Sequence, residues 1–243
     1  MSRKIGLQLW SIKQDLEKDF KAGLKRVAQL GYDGVEFAGY YGIEAPKMKE
    51  LLQEYGLEVA GVHHNVDELD QNLEAIMAYN RVLENRDIVC AWAPTESYEQ
   101  VQESIRKLQK AAAVLRENGF RLHYHNHSHE FVQYDGEYAI DIMAKAVEGM
   151  KAEVDTYWVW NAGVDVCAYL EKRREDITLV HIKDGTKEVR TAVGEGIVDI
   201  QSILDKSAEI GAQWLIVEDE SEPGGLDSVA RGIRNLKEKF TVR

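Results

Sequence analysis

The chain has 243 residues, of which 44% are hydrophobic and 30% charged, and its formal net charge is −12. This balance is typical of a globular protein, while the acidic excess disfavours a protein that grips nucleic-acid phosphates. No apolar run approaches the roughly 20 residues that a membrane helix needs. Charges follow the first short apolar stretch at once, which is not typical of a signal peptide. We therefore expect a cytoplasmic protein that binds neither nucleic acid nor membranes.

Short apolar segments rich in β-branched residues recur along the chain, with helical patterns between them. The predicted strands are Ile5–Leu9, Gly34–Phe37, Glu58–Val62, Asp87–Ala91, Arg121–His125, Ala152–Asp155, Thr178–Ile182 and Trp214–Glu218. Patterns with a period near 3.6 residues predict eight helices. The first starts near Asp15 with Gly31 as its C-cap, and the second begins at Pro46 and stops at Gly56. The others are predicted at residues 68–84, 96–119, 139–149, 164–174, 198–210 and 226–240.

This alternation of strands and helices runs through the chain without a linker. Only three prolines occur, and no stretch is rich in glycine and serine, so no position is typical of a domain boundary. Eight βα units in a chain of this size favour a single-domain α/β fold over residues 1–243, the (β/α)8 TIM barrel. An open doubly wound sheet would need a glycine-rich phosphate loop after the first strand, and "LQLWSIKQD" has none.

Imidazole and carboxylate side chains cluster at the ends of four consecutive predicted strands, where the active site of a barrel lies. Side chains two residues apart on a strand share a face, so those facing the barrel mouth can be identified. They are His123, His125, His127, Glu153, Asp155, His181, Lys183, Glu218 and Glu220. Mixed oxygen and nitrogen donors of this kind are typical ligands of one divalent ion such as Mn²⁺, Zn²⁺, Co²⁺ or Mg²⁺.

The stretch "RLHYHNHSHE" at 121–130 contains four of the seven histidines. Three interpretations compete for it: a metal site, proton-transfer groups around a substrate, or a histidine-rich surface loop. His123 lies deeper in its strand, which favours a hydrogen-bonded core histidine. His127 and His129 fall in the loop, where plain solvation is equally compatible with the pattern.

The motifs at the strand ends together resemble those of the sugar phosphate isomerase/epimerase family, the xylose isomerase-like TIM barrels. The resemblance spans essentially the whole chain and is closest to a branch that carries Y-H-N-H-x-x-E-F. The motifs are "GLQLWS" at 6–11, "GYDGVEF" at 31–37, "GVHHN" at 61–65, "YHNHSHEF" at 124–131, "VDTYW" at 154–158, "HIKDG" at 181–185, "VGEGIVD" at 193–199 and "VEDE" at 217–220.

The resemblance implies one divalent metal held by residues of strands five to eight, with Mn²⁺ among the candidates. Asp155, His181 and Glu218 match the last three ligand positions of the family. Two residues compete for the first position: His125 stands where relatives commonly carry glutamate, and Glu130 could reach back from the loop. We favour Glu130 here, because a hard divalent ion prefers carboxylate oxygen.

The resemblance also implies a reaction, which is proton transfer next to a carbonyl that the metal polarises, through an enediolate intermediate. Glu130 and Glu218 would be the catalytic pair that removes and returns the proton, giving a sugar isomerase or epimerase. His125 and Lys183 would move protons or orient hydroxyl groups. The expected substrate-binding residues are Gln8, Trp10, Glu36, His63, Trp92 and Trp158.

Other functions are compatible with the same residues. A lyase that dehydrates a keto-sugar or keto-polyol, similar to inosose dehydratase, would use the same base and metal. An endonuclease IV-like repair enzyme would need three metals and a basic groove, and a protein that only binds sugar or metal would have lost catalysis. No nest of Arg and Lys marks a phosphate site, which favours an unphosphorylated sugar or keto-sugar as the partner. Dimers and tetramers are common in the family, so a homo-oligomer is compatible with the resemblance.

Overall fold

A computed structural model of the protein describes residues 3–242 and contains a closed barrel of eight parallel strands. The strands are β1 (Lys4–Gln8), β2 (Gly34–Phe37), β3 (Glu58–Asn65), β4 (Asp87–Trp92), β5 (Arg121–His125), β6 (Lys151–Asp155), β7 (Ile177–Ile182) and β8 (Trp214–Val217). Each strand pairs with the next along the chain, and β8 pairs with β1 to close the ring. The predicted (β/α)8 TIM barrel is confirmed. Residues 1, 2 and 243 of the predicted domain lie outside the described residues.

Ten α-helices occur within residues 3–242, and none of them is long and apolar enough to cross a membrane. They are α1 (Lys13–Lys18), α2 (Phe20–Leu30), α3 (Ala45–Tyr55), α4 (Val66–Leu83), α5 (Tyr98–Glu117), α6 (Ala139–Ala146), α7 (Thr156–Asn161), α8 (Val166–Lys172), α9 (Ile200–Glu209) and α10 (Leu226–Lys239). Gly31 and Gly56 are confirmed as C-caps, with φ values of 84° and 68° that glycine adopts without strain.

The prediction of eight helices was wrong in two places, and local backbone capping explains both. Asp19 divides the first predicted helix, because its backbone is extended and its side chain accepts a hydrogen bond from the Ala22 N–H. That contact caps the start of α2. Directly after β6, the Asp155 side chain accepts a hydrogen bond from the Trp158 N–H and starts the short helix α7. Both carboxylates satisfy backbone donors that a helix start leaves free.

The third strand is longer than predicted, and the difference matters for the barrel mouth. The prediction ended it at Val62, whereas β3 continues to Asn65 because His63 and His64 pair with Val89 and Cys90 of β4. His63 is therefore held on the barrel wall rather than in a loop.

The bottom of the barrel interior is filled by apolar side chains. They form one cluster of Ala60, Val89, Leu179, Trp214 and Ile216. Gly34 provides room for this packing, since a Cβ placed there would lie 2.7 Å from the Trp214 ring. A larger apolar layer fills the space between the barrel and its helices. The polar mouth is thus built on a dry, close-packed base that holds its side chains in place.

Candidate functional site

Four buried side chains converge at the mouth from four consecutive strands: His125, Asp155, His181 and Glu218. We call them the quartet. His125 and Asp155 end β5 and β6, His181 lies on β7, and Glu218 directly follows β8. One ligand atom from each lies within 4.8 Å of the others. The structure thus brings together three predicted metal ligands, and His125 is their fourth neighbour.

Strand pairing and one buried amide determine where the quartet sits. Asp155 and His181 are register partners on β6 and β7, so their side chains point to the same face. Asn126 binds the backbone of Asp155 on both sides, with its Nδ2 donating to the carbonyl and its Oδ1 accepting from the N–H. This reciprocal pair fixes the end of β5 against the end of β6 and so positions His125 beside Asp155.

Glu130, the predicted strand-five ligand, lies outside the quartet. Its Oε1 accepts a hydrogen bond from the Tyr124 hydroxyl at 3.0 Å, and its Oε2 accepts one from the His127 N–H at 2.7 Å. Tyr124 has the opposite parity to His125 on β5, so its hydroxyl holds this carboxylate away from the quartet. The short turn His129–Phe131 places it there. The structure therefore groups His125, and not Glu130, with Asp155, His181 and Glu218.

Beneath the quartet is a buried polar layer that we call the inner cluster: Gln8, Glu36, His63 and Glu153. Glu36 Oε2 accepts from Gln8 Nε2 at 2.8 Å and faces His63 Nε2 at 3.0 Å. His63 Nε2 also lies 2.6 Å from Glu153 Oε2. Glu36 and Gln8 are completely buried, and His63 nearly so, so the structure places these three predicted substrate-binding residues below the mouth.

The inner cluster orients one member of the quartet. Glu36 Oε2 lies 2.7 Å from His181 Nε2, and His181 Nδ1 faces Glu218. A carboxylate that accepts from one imidazole nitrogen fixes the tautomer and leaves the other nitrogen as a metal ligand. A Cβ at Gly61 would lie 2.8 Å from Glu36 Oε1, so the glycine makes space for this carboxylate.

Opposite charges shift the pKa values of His63 and Glu153 toward their charged forms. Burial lowers the pKa of His63, but Glu36 and Glu153 outweigh this effect and raise the pKa to about 10. Burial would raise the pKa of Glu153, yet the charges of His181 and His63 keep it well below its usual range. The floor of the mouth is therefore a network of close imidazole–carboxylate contacts.

Unpartnered buried atoms test whether the quartet fits a divalent ion. Among the described residues, Asp155 Oδ2 and His125 Nδ1 are buried without a hydrogen-bond partner. His125 Nδ1 lies 3.2 Å from Glu153 Oε2, but not in hydrogen-bond geometry. Burial raises the pKa of Asp155 to about 6, although Lys183 opposes the shift. A cation would satisfy these atoms, and two imidazoles with two carboxylates suit Mn²⁺, Zn²⁺ or Co²⁺. The residues fit such an ion.

Lys183 is a buried cation beside the quartet, with only 1% of its surface exposed. Its Nζ lies 2.6 Å from Glu220 Oε2 and 3.5 Å from Glu218 Oε2, and 4.8 Å from the centre of the Trp158 ring. Burial lowers its pKa, but Glu218, Asp155 and Glu220 outweigh this and raise the pKa above its usual value. Lys183 is therefore an ammonium group held against the mouth.

Aromatic side chains line the rim of the mouth where the sequence places them. Trp10 and Trp92 are 45% and 43% exposed, which is unusual for tryptophan. The Lys13 ammonium covers one face of the Trp10 ring, 3.5 Å from its centre. Between the loops after β1 and β8 lies a cleft of about 690 Å³, lined in part by Trp10, Arg190 and Glu220. This rim is compatible with the predicted stacking of Trp10, Trp92 and Trp158 on a sugar.

Glu153 is the residue of the site that the ligand set from the sequence omitted. It contacts His63, His125 and His181 and is completely buried. Its signal in the sequence was its parity with Asp155, two residues later on the same strand. That signal identified a side chain that points into the barrel, but not how far below the mouth it lies. Its position follows from the pairing of Glu153 with Leu179, which belongs to the apolar base. His123, in contrast, is confirmed as a core histidine bound to Asp87 at 2.7 Å.

Known proteins with similar sequences and structures share this architecture. Residues 24–239 match the family model described as the xylose isomerase-like TIM barrel. The rhizopine catabolism protein MocC of Rhizobium meliloti is 28% identical, over 82% of this chain and 74% of that protein. Inosose dehydratase of Geobacillus kaustophilus (strain HTA426) is 25% identical, over 82% of this chain and 80% of that one. The crystal structure of a sugar phosphate isomerase/epimerase from Parabacteroides distasonis ATCC 8503 superposes with a TM-score of 0.86 at 23% identity, covering 97% and 98% of the two chains.

Proposed function

The chain belongs to the xylose isomerase-like TIM barrel family, and we propose that it is a divalent-metal-dependent enzyme that moves a proton next to the carbonyl of a sugar or keto-sugar. Isomerisation or epimerisation is the first candidate outcome. The observation that carries the proposal is the quartet, in which two imidazoles and two carboxylates meet within 4.8 Å at the C-terminal ends of the strands. Active sites of such barrels are built at these ends.

His125, Asp155, His181 and Glu218 would hold the ion. When bound, a divalent ion supplies a Lewis acid that polarises a carbonyl oxygen at neutral pH. Glu36 supports this site by binding His181 Nε2, which keeps Nδ1 directed at the mouth. Outer carboxylates of this kind typically raise metal affinity or activity 10- to 100-fold.

Glu218 is our candidate for the group that removes the proton. Its contacts with His181 and Lys183 are both made by Oε2, which leaves Oε1 for the substrate. The ammonium of Lys183 would stabilise negative charge that develops on a substrate oxygen, because fixed charges act strongly in a site that excludes water. Trp158, whose ring lies under Lys183, would exclude water from this side.

Dehydration is the second candidate, and two observations favour it. One relative of the chain is an inosose dehydratase. In addition, epimerisation by two carboxylates requires one on each face of the substrate, and Glu130 is instead tied to Tyr124 and His127. A single base next to a carbonyl serves aldose–ketose isomerisation or the loss of a β-hydroxyl group as water.

The substrate class follows from the charges of the rim. Lys183 and Arg190 both lie near Glu220, at 2.6 and 3.8 Å, so this carboxylate offsets part of their positive charge. A phosphate group would need these cations free. We therefore propose an uncharged polyhydroxylated ketone or aldehyde, either a sugar or a cyclic keto-polyol.

Hydrogen–deuterium exchange in D₂O tests the proposal. Protein loaded with Mn²⁺ is incubated with unphosphorylated ketoses, aldoses and keto-polyols, and NMR and mass spectrometry follow each compound. Deuterium on the carbon next to the carbonyl without loss of water identifies an isomerase or epimerase, and loss of one water identifies a dehydratase. We expect Glu218→Gln to lower the exchange rate on the order of 10²-fold or more.

The exposed Glu238 on α10 offers a matched control, since Glu238→Gln makes the same chemical change outside the barrel. We expect this variant to exchange at the wild-type rate. Exchange that survives both chelator treatment and Glu218→Gln would contradict the proposal.

A further inference from the structure

A second group of metal-ligating side chains lies just after β5, and the proposed reaction does not use it. It consists of His127, His129 and Glu130, and one ligand atom of each lies within 4.8 Å of the other two. Glu130 Oε1 is 3.2 Å from His129 Nε2 and 3.9 Å from His127 Nδ1. The group shares no residue with the quartet.

The carboxylate of Glu130 is held as metal-ligating carboxylates usually are. It is completely buried, and both oxygens accept hydrogen bonds, from the Tyr124 hydroxyl and from the His127 N–H. Each oxygen has two lone pairs, so each keeps capacity for a further partner. Donors that orient a ligand from behind are a regular part of metal sites.

Both imidazoles direct a ring nitrogen at Glu130. His127 Nδ1 is buried without a hydrogen-bond partner, and 3.9 Å from Glu130 is too far for a hydrogen bond. His123 Nδ1 is also buried without a partner among the described residues, but His123 Nε2 binds Asp87, whereas the His127 ring contacts Glu130 and the neighbouring aromatic rings. His129 Nε2 lies between Glu130 Oε1 and the Ala93 carbonyl, at 3.2 and 3.3 Å. A metal ion bound to Nε2 would take the place of the proton that this nitrogen donates to the Ala93 carbonyl.

We propose that His127, His129 and Glu130 form a second site for a divalent transition-metal ion such as Zn²⁺ or Co²⁺. Two imidazoles and one carboxylate select these borderline ions over Mg²⁺ and Ca²⁺, which prefer oxygen ligands. The side chains of His127 and His129 are each 32% exposed, so the ion keeps coordination positions for water or a substrate oxygen.

This second site lies at the rim of the same mouth. The ring centres of His127 and His125 are 5.0 Å apart, and that of Trp158 is 5.9 Å from His127. A ligand bound at the quartet would therefore lie within reach of the second ion. The site itself is independent of the proposed reaction, since its three ligands differ from those of the quartet.

Titration of chelator-treated protein with Co²⁺ alone tests this proposal, with bound metal measured by mass spectrometry and by the visible absorption of the ion. We expect two ions per chain in the wild type. His129→Gln should bind the second ion at least about 10- to 100-fold more weakly and keep the first. His127→Gln should have the same effect, and circular dichroism melting of each variant establishes that it is folded.

Two further variants separate this site from the quartet. Asp155→Asn should lose the quartet ion and keep the rim ion, whereas His64→Gln should keep both, because His64 contacts Glu68 and belongs to neither group. A wild type that saturates with one ion, or folded His129→Gln and His127→Gln variants that still bind two, would overturn the second site. If Asp155→Asn still binds two ions, the quartet is wrong as a metal site while the second site stands.

Discussion

Glu36→Gln is the substitution that most sharply tests how the buried layer supports the metal centre. Glu36 Oε2 is the shared acceptor for three groups: Gln8 Nε2 at 2.8 Å, His63 Nε2 at 3.0 Å and His181 Nε2 at 2.7 Å. Glutamine has nearly the same shape but no charge. It therefore removes the anion opposite His181 without opening a cavity.

The expected magnitude follows from the loss of a charged hydrogen bond to a metal-ligating imidazole. Such bonds contribute about 1.5–3 kcal/mol, against about 0.5–1.5 kcal/mol for neutral ones. The neutral amide oxygen accepts a weaker hydrogen bond from His181 Nε2, so it favours less strongly the tautomer that presents Nδ1 to the mouth. We expect metal affinity to fall about 10- to 100-fold, which corresponds to about 1.4–2.8 kcal/mol.

Isothermal titration calorimetry of chelator-treated protein with Mn²⁺ measures this effect. Glu58→Gln is the matched control, because Glu58 is exposed at the start of its strand and its carboxylate pairs with Lys4. This pair should contribute less than about 1 kcal/mol to stability and nothing to metal affinity. Wild-type Mn²⁺ affinity in folded Glu36→Gln would refute the orienting role of the inner cluster.

Two further predictions concern parts of the fold that support the site. Asp87 binds Arg121 and His123; burial would raise its pKa, but these hydrogen bonds outweigh that and lower it. Because the folded-state pKa is depressed, the stabilisation is complete above the unfolded pKa of about 3.9. Urea unfolding should thus show that Asp87→Asn lowers the free energy of unfolding by about 1–3 kcal/mol at pH 7. This difference from the wild type should narrow as the pH falls below about 4. A difference that stays constant with pH would argue against the ion pair. The Asp184 carboxylate accepts hydrogen bonds from four backbone N–H groups of residues 185–198. Asp184→Asn should therefore speed deuterium exchange and proteolysis in that segment alone. Unchanged protection would show that other contacts hold this loop.

The barrel itself could be predicted because its signals are local. Apolar β-branched segments, helical periods and capping glycines such as Gly31 and Gly56 each depend on a few neighbouring residues. The predicted number of helices was wrong where a single side chain determined a helix boundary. Asp19 ends α1 with an extended backbone, and its side chain caps the start of α2. The sequence pattern does not distinguish an aspartate in the middle of a helix from one that ends the helix and caps the next by accepting a backbone N–H.

The site was predicted in part, and the limit was again geometric. Asp155, His181 and Glu218 came together because strand alternation and parallel pairing determine where they point. The choice between Glu130 and His125 depended on a three-residue turn, His129–Phe131, that directs Glu130 toward Tyr124. A preference for oxygen ligands could not anticipate this turn.

The sequence also could not predict how far below the mouth each buried polar side chain lies. Glu36 and His63 face the interior as expected, but whether they meet substrate or each other depends on the height of each strand in the barrel. Neighbouring strands are staggered, so this height emerges only when the ring closes. Glu36 and His63 consequently form part of the floor under the quartet.

Anomalous X-ray diffraction from crystals soaked in Mn²⁺ tests the central claim most directly. The account predicts a peak with His125, Asp155, His181 and Glu218 as ligands, at about 2.0–2.3 Å from their donor atoms. Glu130 should lie outside that coordination sphere. A Mn²⁺ peak coordinated by Glu130 in place of His125, or no peak at the mouth of the barrel, would contradict it.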